Sequence, residues 1–398
     1  MSIQKDFAPA PPAPIIEPQE VAALRARVRA VLAEHVTPER LNKFDEAEEY
    51  DLELFHQIAA AGLVKLDGEL YGQGPKHQSQ TVVLEELGAG PTSVGVSMVV
   101  QFMGVQLLHS YGNHQQQDEF LAPLHAGKAK MSFALSEPDG GTDVARAMKT
   151  RAVLLEDGGY SISGQKKWIG GAMDADYLIV LARTSQTTRS AIDGITMFLV
   201  PRSTPGIRTE IIDTMGIRGL AQCDVYLDDV RVPAANVLGE LDKGFRQVLD
   251  TLNGERLNGA AVALGIARGA METAVGWARQ RHAFGRPVGS FQGLQHSLVD
   301  ASVKIESARL LLRQAAEASD AGTGTNETWS AMAKLAASDA ATTTTDIGMR
   351  TMAGWGFFRG LPMQRYFRDA RLYTFAPLTD EMTRNYIGEK HLGLPRSF

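Results

Sequence analysis

Apolar residues recur at three- and four-residue spacing in VAALRARVRAVLAEHV, residues 21–36, and again in LELFHQIAAAGL, residues 52–63. That period puts one face of a helix against a core. TVVLEELGAG, residues 81–90, continues the helical pattern and closes on glycine, a helix-stop signal. The pattern changes after Met131. RAVLLEDGGYSISG, residues 151–164, alternates apolar positions around Asp-Gly-Gly, which predicts a hairpin. DYLIVLART, ITMFLVP and CDVYLDDVRVP predict further short strands between turns rich in Gly, Pro and Ser. Beyond Gly244 the helical period returns over residues 245–280 and 297–318.

The pattern divides the chain into an N-terminal arm at 1–18, a helical domain at 19–131, a β domain at 132–242 and a helical bundle at 243–398. The fold class is α+β and mainly α. FAPAPPAPIIEP makes the arm proline-rich and predicts extended or mobile chain. No internal repeat is visible.

Composition narrows the function. The 398 residues can bury a large core. Hydrophobic residues make up 44% and charged residues 22%, the balance of an ordinary globular protein. A net charge of -6 gives no reason to expect a nucleic-acid partner. The single cysteine, Cys223, excludes an internal disulfide framework and a cysteine-clustered metal site. No stretch of about 18 apolar residues and no leader pattern is read, so a cytoplasmic enzyme is expected.

Four segments carry candidate chemistry. FALSEPDGGTD, Phe133 to Asp143, runs from a strand into a Gly-Gly turn where backbone amides can approach a ligand. Such turns are also common on plain surfaces. Trp168 follows two lysines in a strand-rich stretch, as a core residue or as the wall of a cofactor site. Arg281, Phe284, Gly285 and Gln292 are placed at the end of a helix, and MRTMAGWGFFRG forms a glycine-bearing turn between helices.

In order and spacing these segments resemble the acyl-CoA dehydrogenase family of flavoproteins, from about residue 19 onward. The family's TEPGAGSD…NGQKxWITN pattern is met by Ser136 to Asp143 and Gly164 to Gly170. Its RxxFGxPxxxFQxxQxxLxD pattern is met by Arg281 to Asp300. The resemblance implies a helical domain, a β domain and a four-helix bundle, assembled as a homotetramer with FAD between the β domain and the bundle. It implies that Phe133, Leu135 and Ser136 line the flavin, with Gly141 and Thr142 near the pyrophosphate and substrate, and Trp168 over one side of the ring. Arg281, Phe284 and Gln292 would come from the adjacent chain to hold the ADP part. Gly354 falls in the matching glycine turn, and Thr379 with Glu381 matches a Thr-x-Glu/Gln pair near the cofactor. Three positions depart from the pattern. Gly170 stands where many relatives have threonine, Arg350 where they have glutamine, and Ala353 where they have glycine.

The largest departure is Pro377, at the position of the catalytic glutamate in most relatives. Part of the family carries its base on the first long bundle helix, just before an arginine. Here Leu252-Asn-Gly-Glu-Arg-Leu257 puts Glu255 there, followed by Arg256, with Asn253 beside the substrate. Apolar neighbours Leu252 and Leu257 would raise the Glu255 pKa, as suits a general base at neutrality. The competing reading is an ordinary Glu255–Arg256 pair. Proline also removes a backbone N–H that relatives aim at the thioester carbonyl, and losing one such donor costs on the order of 10²–10³ in rate.

By position, Val99, Phe102 and Met103 line the acyl end of the pocket, or else simply pack a helix. They fit an aliphatic or aromatic acyl group better than a dicarboxylate. The expected activity is α,β-desaturation of an acyl thioester, carried by coenzyme A or by a carrier protein, with an electron-transfer flavoprotein as acceptor. Gly170 and Pro377 keep two alternatives open: a flavin-dependent oxidase or monooxygenase, and a flavin-binding subunit without chemistry.

Overall fold

The computed structural model describes residues 8–10, 15, 17–65, 76–186, 190–322 and 326–396. Most of the expected N-terminal arm and the Leu252 side chain lie outside the described residues. Helices α1 (Gln19–His35), α2 (Pro38–Ala47), α3 (Leu52–Ala60), α4 (His77–Gly88) and α5 (Thr92–Tyr111) come first. A sheet follows, and then the bundle helices α6 (Gly244–Gln280), α7 (Gln292–Asp320), α8 (Asn326–Met352), α9 (Met363–Ala370) and α10 (Asp380–Lys390). Where the arm is described it does not extend away. The Ala10 amide donates to the Glu272 carbonyl at 2.9 Å, and Gln280 Nε2 donates to the Ala8 carbonyl at 2.8 Å, so this stretch lies along α6.

The strands are β1 (Met131–Ala134), β2 (Arg151–Leu154), β3 (Tyr160–Gly170), β4 (Tyr177–Arg183), β5 (Ile195–Pro201), β6 (Ile207–Ile212), β7 (Gln222–Val232) and β8 (Val237–Leu238). They form one sheet in the order β6-β7-β3-β2-β4-β5-β8, and β1 pairs with β4 in parallel. The expected hairpin is β2–β3, antiparallel, with Gly158 at φ 84 in its turn.

Helices α4 and α6 meet backbone to backbone. A Cβ on Gly88 would lie 2.4 Å from the Val262 carbonyl oxygen, and one on Gly265 would lie 2.1 Å from that of Glu85. α4 ends at Gly88, two residues before Gly90, where the stop was expected. Gly88 itself serves close approach, and its φ is not positive. The same contact is clamped by buried charge. Arg25 Nη1 and Arg268 Nη2 each donate to Glu86 at 2.7 Å, and Arg309 Nη2 donates to Glu85 at 3.0 Å. Burial alone would raise Glu85, but the charges of Arg25, Arg309 and Arg268 outweigh it and hold the carboxyl at about 2. The start of α4 is fixed in turn by Asp320 at the end of α7, which accepts from the His77 and Gln78 amides at 2.7 and 3.1 Å.

No membrane-length apolar stretch was expected, yet the 20-residue α5 is long and apolar enough to cross a membrane. It is a core helix: 67% of its most apolar window is buried inside the protein.

Candidate active site

Glu255 lies on α6, one residue before Arg256 and four before Gly259. Positions four apart share a helix face. On that face a Cβ at Gly259 would meet the Pro377 ring at 3.2 Å. The loop carrying Pro377 therefore packs one helical turn from Glu255. Thr379 closes that loop as the N-cap of α10, accepting from the Met382 amide at 3.2 Å. Lys334 holds the first turn of α10 through Asp380 at 2.6 Å.

Glu255 has no hydrogen bond or ion pair among the described residues, so the expected alternative of a Glu255–Arg256 pair does not form. Arg256 turns elsewhere, donating to Asn253 Oδ1 at 3.1 Å and stacking 4.8 Å above the Tyr386 ring. Burial pushes the Glu255 carboxyl up to about 7, and the Arg256 charge offsets only part of that. Leu257, two residues on, is fully buried in the core, but residues two apart on a helix do not share a face.

Val99, Phe102 and Met103 lie on α5, which packs against α6. Phe102 and Met103 are buried in two different cores, and Val99 is half-buried at the margin of the first. Gln106, on the same stripe of α5 as Val99 and Met103, reaches α6: its Oε1 would lie 3.1 Å from a Cβ at Gly254.

The β domain presents a second group of predicted residues. Phe133, Leu135 and Ser136 are half-exposed along and just after β1, and Gly141 and Thr142 are exposed on the following loop. A Cβ at Gly141 would meet nothing within 4 Å, so this backbone is open to a ligand. Trp168 is 54% exposed despite its strand position. The β3–β7 register slips between Lys166 and Ile169, and in that bulge Trp168 takes φ 63. A non-glycine residue held there costs roughly 1–3 kcal/mol, the kind of strain found at functional sites. The surroundings hold it in place. Lys166, fully buried, pairs with Glu137 at 2.8 Å, and Glu137 also accepts from the Lys149 and Thr150 amides at 2.6 and 3.1 Å. Burial pulls Lys166 down to about 8; Glu137, which burial alone would raise, is kept below its usual range by Lys166 and these hydrogen bonds. The Lys167 amide donates to the Ser136 carbonyl at 2.9 Å, tying the β1 loop to the bulge. Gly170 is half-buried and its carbonyl accepts from Ser132 Oγ at 2.9 Å. The open backbone, the half-exposed Phe133 and Leu135 and the ring of Trp168 fit one large flat cofactor such as FAD.

The remaining predicted residues lie apart from this shelf. Arg281 caps the end of α6 as expected, but Phe284 and Gly285 lie in a turn beyond it and Gln292 is the first residue of α7. The chain after α6 forms a small hairpin of β9 (His282–Ala283) and β10 (Arg286–Pro287), with Phe284 at φ 53 and Gly285 at φ 80 in its turn. Phe284 is 95% exposed, and Arg281 and Gln292 are exposed beside it. Arg350 is exposed and paired to Asp346 at 3.1 Å. The turn at Gly354 takes its unusual backbone from Ala353, at φ 50 and ψ -130. Glu381 is exposed on the first turn of α10. Sequence reasoning missed His77, Gln80, Gln106 and Asn258, which meet at positions 254 and 258 of α6, one before and three after Glu255, and carry no motif.

Comparison with known proteins agrees with this architecture. Residues 18–128, 132–230 and 242–392 match the N-terminal, middle and C-terminal domains of acyl-CoA dehydrogenases. A probable acyl-CoA dehydrogenase of Bacillus subtilis is 34% identical, over 94% of this chain and 98% of its own. A subunit of the caffeyl-CoA reductase-Etf complex of Acetobacterium woodii is 31% identical, over 92% and 96%. The structure of a glutaryl-CoA dehydrogenase from Mycobacterium smegmatis in complex with FADH2 superposes with a TM-score of 0.87 at 27% identity, covering 96% of both chains. With all three domains matched in order along nearly its whole length, the chain belongs to the acyl-CoA dehydrogenase family.

Proposed function

We propose that this protein is an FAD-dependent acyl-CoA dehydrogenase whose base is Glu255. The observation that carries the assignment of the base is a carboxylate without a partner among the described residues, raised to about 7, one helical turn from Pro377. A pKa near the working pH leaves part of the population ionised while keeping the carboxylate basic enough to act.

In this reading Glu255 takes the proton from the carbon beside the thioester carbonyl. Bound FAD supplies the acceptor for the hydride from the next carbon. The electron pair of the broken α C–H bond becomes the second bond between the two carbons, and the proton stays on Glu255. Arg256, held by Asn253 and Tyr386, keeps its charge beside the carboxylate without neutralising it. Pro377 donates no N–H, so the carbonyl is held by other donors. Phe133, Leu135, Ser136, Gly141, Thr142, Trp168 and Gly170 would hold the flavin end of the cofactor.

The finer assembly belongs to the same proposal: a cytoplasmic homotetramer that passes electrons to an electron-transfer flavoprotein. Arg281, Phe284 and Gln292 would serve the ADP part of a neighbouring chain's FAD, which agrees with their exposure here. Val299, Val303 and Leu310, at 54%, 62% and 63% exposure along α7, offer an apolar stripe for the subunit contact. The test is an anaerobic titration of the yellow protein with a panel of saturated acyl-CoA thioesters. Bleaching of the flavin by some of them is expected, followed by slow reoxidation in air. A protein that no thioester bleaches would refute the activity, and fast reoxidation would make it an oxidase.

A further inference from the structure

The side of α6 next to Glu255 is polar where an aliphatic substrate would ask for carbon. Gly254 and Asn258 lie one turn apart on α6 and bracket Glu255. Gly254 is overlaid by His77: a Cβ there would come within 2.5 Å of His77 Cε1 and 3.3 Å of Nδ1, besides the Gln106 contact. Asn258 Nδ2 donates to Gln80 Oε1 at 3.1 Å. His77, Gln80 and Asn258 are 8%, 2% and 3% exposed. Two of their polar atoms, His77 Nδ1 and Asn258 Oδ1, are buried without a hydrogen-bond partner among the described residues. Folded proteins seldom leave such atoms unmet, because each costs about 1–3 kcal/mol. Burial also pulls the His77 pKa down, against the charge of Asp320 and a hydrogen-bonding contact with Gln80.

These groups are held in place from several sides. Asp320 fixes the His77 backbone at the start of α4, the glycine contact clamps α4 to α6, and Gln106 extends the α5 stripe that carries Val99 and Met103. A purely hydrocarbon acyl chain would leave Asn258 Oδ1 and His77 Nδ1 unmet. A hydroxyl or N–H on the acyl group would satisfy them.

Resting on the dehydrogenase reading above, we propose that His77, Asn258 and Gln106 form a polar corner of the acyl pocket, and that the preferred acyl groups carry a neutral O–H or N–H donor beyond the reacting carbons. A site built to hydrogen-bond such a group discriminates strongly against the analogue that lacks it.

The experiment compares matched pairs of coenzyme A thioesters of equal length, one ending in a hydroxyl and the other in a methyl group. The trans-2-enoyl products, which need no chemistry to bind, are titrated into the FAD-loaded protein by calorimetry, and the saturated forms are compared by kcat/KM. At one or more chain lengths the hydroxyl member should bind and react at least about tenfold better. Asn258→Leu, and separately Gln106→Leu on the less buried side, should bring that ratio towards one. Methyl members that bind as well as hydroxyl members at every length overturn the corner, as does an unchanged ratio in both variants. Bleaching by methyl thioesters without any preference sinks the corner and leaves the dehydrogenase standing. Selective binding of hydroxylated products without bleaching by any saturated form does the reverse.

Discussion

The Pro377 ring packs against Gly259, 3.2 Å from where a Cβ would stand, on the helix face that carries Glu255 one turn earlier. The two positions weighed as the seat of the base are thus neighbours, and only one holds a carboxylate. Glu255→Gln should slow anaerobic flavin bleaching by about 10²–10⁴ while FAD stays bound. Adding Pro377→Glu to that variant should recover at least about tenfold of the loss, because it returns a carboxylate to the same pocket. Stopped-flow absorbance reads both rates. Unimpaired bleaching in the single variant would remove Glu255 from the mechanism, and no recovery in the double variant would show that the two positions do not serve one carbon.

Gly265 is where α6 touches α4. A methyl group there would lie 2.1 Å from the Glu85 carbonyl oxygen, which is backbone and cannot rotate away. Gly265→Ala should lower stability by about 1–3 kcal/mol, the usual range for forcing extra volume into a packed contact. The urea midpoint measures it. Gly90→Ala, whose added methyl meets nothing within 4 Å, is the control and should leave the midpoint unchanged.

The fold order was legible in the sequence, because helical periodicity is a local property; Glu255, the proposed base, was marked by a contiguous motif. What escaped depends on partners distant in the chain. The glycine letter at Gly88 does not say whether it serves a turn or a close contact; only the approach of Val262 decides it. Strand β6 was passed over because its residues are all half-buried or exposed and include Arg208 and Glu210. The strain at Trp168 arises from a register slip against β7, and nothing in its neighbours along the chain encodes it. The proposed polar corner rests on Asn258 meeting Gln80, 178 residues away in the chain, so no local pattern marks it.

Ala353 occupies φ 50 and ψ -130, where a Cβ is crowded by its own backbone. Relief of strain of about 1–3 kcal/mol, less the added chain entropy of glycine at roughly 0.5–1 kcal/mol, leaves Ala353→Gly more stable by about 1 kcal/mol. Denaturant unfolding at matched protein concentration tests this. A destabilised variant would mean that the Ala353 methyl group makes contacts worth more than its strain.

The charge on Glu255 links activity and stability to pH in opposite directions. Its folded pKa is raised to about 7 from an ordinary 4.5, so the folded protein binds this proton more tightly than the unfolded chain does. The contribution to stability is therefore fully present below the unfolded value and is lost as pH rises through about 7. Catalysis needs the ionised form, so kcat/KM should climb through the same window and level off above it. Glu255→Gln removes the titration and keeps the shape. It should match the wild-type melting temperature near pH 5, exceed it at pH 8, and show no rise in residual activity near neutrality. Calorimetric melts of both proteins across this range, with FAD saturating, give the comparison. A wild-type protein that gains stability relative to the glutamine variant as pH rises would mean that Glu255 is paired in solution, and it could not then be the free base of the reaction.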